Sequence, residues 1–208
     1  LSPHRQQAWG LLRIRHTASP ARVVPSCGAF GRCGGCALQH LDYPEQLRFK
    51  RDRLAHALEA AGVRPQQALP PCVAAPLPYH YRSRAKLVVA PALAPGGPLR
   101  LGAYQPRSHE FIALRRCTVM TAGLRALCEV LESAAGQQGI VGYDERTGAG
   151  ELRYVLLREA ESGAQQVSLV FAAWPAEDRL QALGAALVDH PELRVQGVVL
   201  HRNDTPGN

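Results

Sequence analysis

The sequence predicts an α+β fold, a mostly antiparallel sheet with helices packed on it. Three observations carry that expectation. Two-residue alternation of apolar and polar side chains begins at Tyr81 and recurs through "YRSRAKLVVA", "LRLGAYQ" and "HEFIALRR". A hairpin pattern follows, in which "ELRYVLLREA" and "QQVSLVFAAW" flank the turn "ESGA". Helical periodicity intervenes twice, over about 121–135 and in "AEDRLQALGAALVDH". Such an element order places helices against one sheet.

From the N-terminus, residues 8–15, "AWGLLRIR", alternate loosely and predict a strand, and a proline-marked loop leads to a cysteine cluster. A helix is then expected to start at a capping-box-like pair, Asp42 and Glu45, with Pro44 in its first turn and Gly62 at its end. Leu47, Leu54, Leu58 and Ala61 form its apolar stripe. Residues 63–78 carry five prolines and predict a connector. In "YRSRAKLVVA" the alternation puts Arg82, Arg84 and Lys86 on one face, with Ala85, Leu87 and Val89 on the other. Two further strands joined by a turn at Pro106–Ser108 deliver the chain to Cys117. The next helix carries the stripe Leu124, Leu127, Cys128 and Leu131, and "VQGVVLHRN" predicts a last strand.

The chain has 208 residues, enough for one large or two small domains. No apolar run approaches the roughly 20 residues of a membrane span and no signal-peptide pattern opens the sequence, so the expectation is a cytoplasmic protein without membrane partners. Leu1 is not an initiator and Met120 is the single methionine, which suggests a fragment. Charge is asymmetric. Residues 1–120 hold 17 Lys+Arg against 5 Asp+Glu, and residues 121–208 hold 7 against 12. A basic first half suits a partner rich in phosphate.

Three of the six cysteines, Cys27, Cys33 and Cys36, fall within ten residues among Gly28, Gly31, Gly34 and Gly35. Disulfides are disfavoured without a secretion signal. Three thiols crowded among glycines point to a metal. Cys117 is the best fourth ligand, since it is flanked by Arg115 and Arg116, whose positive potential favours a thiolate. Cys72, Cys128, His40 and His109 are weaker candidates. Structural zinc usually takes two close ligand pairs, whereas C-x5-C-x2-C plus one distant cysteine is closer to iron–sulfur ligation. Zinc stays open on spacing alone.

The stretch "SPARVVPSCGAFGRCGGCALQHLDYPEQLRFK" resembles the iron–sulfur segment of the RNA (uracil-5-)-methyltransferases, especially the bacterial 23S rRNA members. "YRSRAKLVV", "LGAYQPRSHEFIALRRC" and "VQGVVLHRNDTPGN" extend the resemblance in order over most of the chain. One departure is "CGAF", where the family commonly has proline after the first cysteine. The resemblance implies that Cys27, Cys33, Cys36 and Cys117 ligate one [4Fe–4S] cluster. It further implies that residues 1–26 are the remnant of an OB-like TRAM barrel and that 27–208 form a cluster-bearing central domain. Within that domain the helix and connector at 43–78 would pack on a C-terminal methyltransferase domain that is missing from this chain.

Family members flip a uridine, add a cysteine thiolate to C6 of uracil and methylate C5 from S-adenosylmethionine. No Gly-rich S-adenosylmethionine loop and no catalytic-cysteine motif occurs before Asn208. The chain alone is therefore expected to be inactive, with no catalytic residue of its own, as part of an enzyme acting on 23S rRNA. Expected RNA contacts are Arg82, Arg84, Lys86, Arg107, His109 and Arg115. Tyr79, Tyr81, Tyr104 and Phe111 are available to stack on bases, but the favoured expectation for each is core or strand packing. The competing classes are a zinc- or iron–sulfur-binding nucleic-acid module without methyltransferase activity and a ferredoxin-like electron carrier.

Overall fold

The computed structural model describes residues 19–94 and 96–205. The strand expected at 8–15, and with it most of the expected barrel remnant, lies outside these residues. The chain divides into two compact units. One comprises 37–74 with the segment before Cys27; the other comprises Cys27–Cys36 with everything from Ala75 onward.

In the first unit, α1 spans Tyr43–Ala60. The Asp42 carboxylate accepts a hydrogen bond from the Glu45 amide at 2.9 Å, as the capping pattern predicts. At its other end Gly62 adopts φ 72°, a left-handed conformation that suits glycine, and ends the helix. The helix buries none of its residues. Leu54, expected on an apolar stripe, is 52% exposed.

The second unit is built on one six-stranded sheet. Its strands are β1 (Arg84–Ala90), β2 (Arg100–Tyr104), β3 (Phe111–Ala113), β4 (Leu152–Glu159), β5 (Gln165–Phe171) and β6 (Val195–Arg202), in the order β3-β2-β1-β4-β5-β6. Neighbours are antiparallel except β5 and β6, which are parallel. The exception has a plain cause: α3 (Glu177–Val188) carries the chain back along the sheet before β6 begins. Cys117 does not end a strand, as its sequence suggested. β3 stops at Ala113, and Cys117 lies in a turn whose amide donates to the Leu114 carbonyl.

The expected stripe of α2 (Ala122–Gln137) is buried as a set: Leu124, Leu127, Cys128 and Leu131. They pack with Leu87, Val89, Leu101, Leu157, Leu169 and Phe171 from the sheet and with Leu183 and Leu187 of α3. Each such side chain contributes roughly 1.5–3 kcal/mol when fully buried. Glu132 is the polar member of this layer. Its carboxylate accepts the Leu101 amide of β2 at 2.7 Å, and burial pushes its pKa up. Arg179 of α3 closes the layer. It donates to the Gln138 and Gly139 carbonyls at the end of α2 and pairs with Glu151 at 3.0 Å. Cations are favoured at a helix C-terminus.

Two glycines, one on each helix, test how closely α2 and α3 sit on their neighbours. A Cβ on Gly136 would stand 2.4 Å from the Gly97 carbonyl oxygen, whereas a Cβ on Gly184 of α3 would meet nothing within 4 Å. Helix propensity favours alanine over glycine by about 1 kcal/mol at both. Urea denaturation should therefore show Gly184→Ala stabilised by about 0.5–1 kcal/mol. Gly136→Ala should instead be destabilised by roughly 1–3 kcal/mol through the backbone clash.

Candidate nucleic-acid interface and cysteine loop

Because α2 and α3 take one face of the sheet, the alternate residues of each strand are left on the other. On β1 these are Arg84 and Lys86, both exposed, as the alternation predicts. Strand pairing adds what β1 alone does not reveal. Arg84 stands opposite Arg158 of β4, and Arg158 stands opposite Gln166 of β5. Like charges directly across a strand pair repel each other, so this row favours an anion between the two guanidiniums. It borders a groove of about 430 Å³ that Gln165, Gln196 and Glu159 also line. Lys86 lies 4.5 Å from the centroid of the Tyr154 ring, a cation–π contact.

Of the other expected contacts, Arg82 does not belong to this row. It precedes β1, bridges to Met120, and sends its guanidinium to the Gly35 carbonyl at 3.3 Å. Its side chain thus braces the cysteine loop. Arg107 occupies the β2–β3 turn with φ 63°, a left-handed conformation uncommon outside glycine. Arg115 pairs with Glu129 at 3.4 Å, so its charge is turned toward α2.

His109 meets the Tyr104 ring edge-on at 5.3 Å and faces the Glu145 carboxylate at 3.5 Å. The same carboxylate accepts the Tyr154 hydroxyl at 2.5 Å and lies 3.8 Å from the buried Arg153. Burial, and then this hydrogen bond, push the Tyr154 pKa to about 12, so Tyr154 remains a donor at any physiological pH. Arg153 is the extra residue of a β4 bulge: Leu152 pairs with Phe171 and Tyr154 with the next residue, Val170. It donates to the Asn203 and Thr205 carbonyls and covers the Tyr143 ring at 4.8 Å.

The cysteine loop, 27–36, clusters with the sheet unit. Gly31 and Gly34 adopt φ of 80° and 70°, and the Phe30 and Cys33 amides donate to the Cys27 and Ala29 carbonyls. A Cβ on Gly34 would strike Pro106 of the β2–β3 turn at 2.6 Å, so the loop sits directly on that turn. The Gly35 amide donates to the Cys33 sulfur at 3.4 Å. Cys36 packs against the core cluster to which Cys117 belongs. Among the described residues no three His, Cys, Asp or Glu side chains converge as ligands of a single metal ion. Burial raises the Cys128 pKa to about 12, which keeps that thiol protonated. Cys72 is exposed in the connector.

No protein-family model matches the chain. Curated relatives do. An uncharacterized RNA methyltransferase of Halalkalibacterium halodurans is 36% identical over 141 residues, covering 68% of this chain and 30% of that protein. Another, of Gloeobacter violaceus, is 31% identical over 191 residues, covering 92% and 41%. This chain is homologous to part of these RNA methyltransferases. It spans less than half the length of such relatives, 43% for one from Listeria monocytogenes serotype 4b. In fold it is similar to Pyrococcus abyssi tRNA (uracil-54, C5)-methyltransferase, solved with S-adenosyl-L-homocysteine. The TM-score is 0.62 at 22% identity, over 92% of this chain and 40% of that one. No helix among the described residues is long and apolar enough to cross a membrane.

Sequence reasoning missed Arg158 and Tyr143 for one reason. Each gains its setting from a pairing or packing partner far away in sequence. Alternation within "LRYVLLRE" groups Arg158 with Tyr154, but only the register puts it opposite Arg84. Replacing Arg158 with glutamine should relieve that repulsion. The expected gain is about 0.2–1 kcal/mol at low salt, fading in molar salt. Thermal melts at two ionic strengths measure it. An equal gain at both would show that charge is not the cause.

Proposed function

We propose that this chain is the RNA-holding part of an RNA uridine C5-methyltransferase, with 23S rRNA as substrate and S-adenosylmethionine as methyl donor of the whole enzyme. The observation that carries the reading is the row of Arg84, Lys86 and Arg158 on the uncovered face of the sheet. Exposed cations on a sheet suit phosphates of an RNA strand, which supply affinity and positioning. The homologous RNA methyltransferases and the similar fold of a uracil methyltransferase support the same assignment.

Cys27, Cys33, Cys36 and Cys117 are the residues proposed to hold a [4Fe–4S] cluster. The donor set fits it. All four are thiols, a backbone N–H already points at the Cys33 sulfur, and the loop turns on left-handed glycines. Bound there, the cluster supplies a covalent tie between loop 27–36 and the turn at Cys117.

The residues present do not fit S-adenosylmethionine. Nucleotide-type cofactors in α/β sheets sit where a parallel strand passes through a Gly-rich turn into a helix. The described residues make that passage between β5 and α3, through "AAWPA", with Ala176 at the cap and no side-chain cap hydrogen bond. No methyl-transfer step is therefore assigned to these residues.

Two measurements test the reading. Binding of a uridine-containing single-stranded RNA should weaken with salt along a straight log–log line. Arg84→Ala, Lys86→Ala and Arg158→Ala should each reduce that slope by about 0.7–1. Affinity that ignores salt, or ignores all three substitutions, would contradict it. Prepared anaerobically, the chain should be brown and contain about four irons with matching sulfide. Cys33→Ser and Cys117→Ser should lose them while Cys72→Ser keeps them. A colourless protein with stoichiometric zinc would overturn the cluster assignment and leave the RNA reading standing.

A further inference from the structure

We propose that the cleft beside β2 and β3, distinct from the arginine row, is a nucleobase pocket that takes one unstacked base of single-stranded RNA. The inference rests on the RNA reading above and deepens it. The cleft measures about 260 Å³, just under the roughly 300–1,000 Å³ of sites for drug-sized ligands. Its walls are aromatic: Tyr104, Phe111 and Tyr143, all half-buried, with His109 at the rim. Every base has a flat π-face that stacks on such rings.

The rings are held before any ligand arrives. Tyr143 lies under the buried Arg153, Phe111 under Arg100 at 5.0 Å, and Tyr104 against the edge of His109. Behind them Glu145 fixes His109 and Tyr154 together. A pocket so braced loses little conformational freedom on binding.

Charge narrows the occupant. Asp144 and Glu110 line the cleft together with Arg100 and Arg146, so its charges balance and a net-charged group gains little inside it. A neutral heterocycle with N–H donors suits it, because a carboxylate accepts from them. Arg100 and Arg146 suit the phosphates flanking an inserted base, although Arg146 is paired with Asp144 at 3.2 Å. Arg107 extends from the adjoining turn. Aromatic walls, an acceptor inside and cations beside them together match a base with its backbone passing outside.

The test uses the 208-residue chain and a short single-stranded RNA carrying one 2-aminopurine, whose fluorescence is quenched by stacking. Binding should quench it. Tyr104→Ala should abolish the quench and weaken affinity about 5- to 150-fold, leaving the salt slope unchanged, while Tyr104→Phe keeps both. Tyr143→Ala, outside the sheet, should act in the same direction and serves if Tyr104→Ala does not fold. Full quench and affinity in a folded alanine variant would overturn the pocket, as would an abasic probe that binds equally well. RNA binding with the expected salt slope but without these effects removes the pocket alone. Absence of any RNA binding removes both this inference and the function it rests on.

Discussion

Among the described residues the six-stranded sheet of this unit is served by two helices, and both pack on the same side. That one-sided burial governs the rest. It makes each strand two-faced: Leu87 and Val89 of β1 enter the core, while Arg84 and Lys86, earlier in the strand, face outward. It also sets the strength of register. A one-residue slip would bring Lys86 into the layer now filled by Leu124, Leu127 and Leu131, at the cost of burying a charge. The core therefore dictates where the cations stand, although none of them contributes to it.

The cysteine loop exploits the same platform from its rim. Arg82 reaches back to Gly35, Gly34 seats against Pro106, and Cys36 packs against the core cluster that includes Cys117. Each contact joins the loop to a different part of the sheet unit: the approach to β1, the β2–β3 turn, and the core. A loop this rich in glycine has little tendency to order itself, since glycine loses the most conformational freedom on folding. These three contacts hold it, and ligation of its thiols together with Cys117 would do so much more strongly.

Much of this was legible in the sequence, for local reasons. The starting cap of α1 at Asp42, the stripe of α2 and the alternation of β1 depend on residues within a few positions of one another, and all stand as expected. What escaped was long-range. Arg82 looked like a member of the Arg84 row, but the strand begins two residues later and its guanidinium serves the loop. The pairing of Arg115 with Glu129 of α2, 14 residues on, was likewise not visible in the sequence. The parallel pairing of β6 could not be read from "VQGVVLHRN", because strand direction is set by the route of α3. Tyr143 and Arg158 acquire meaning only from partners on other elements.

The central claim is that RNA lies on the face of the sheet that α2 and α3 leave uncovered. Hydrogen–deuterium exchange of the chain with and without single-stranded RNA tests it most directly. The account predicts that RNA protects peptides spanning Arg84–Val88, Tyr104–Phe111 and Tyr154–Gln166, with little change in α2 or α3. Protection confined to those two helices or to α1, with the strand peptides unchanged, would contradict it.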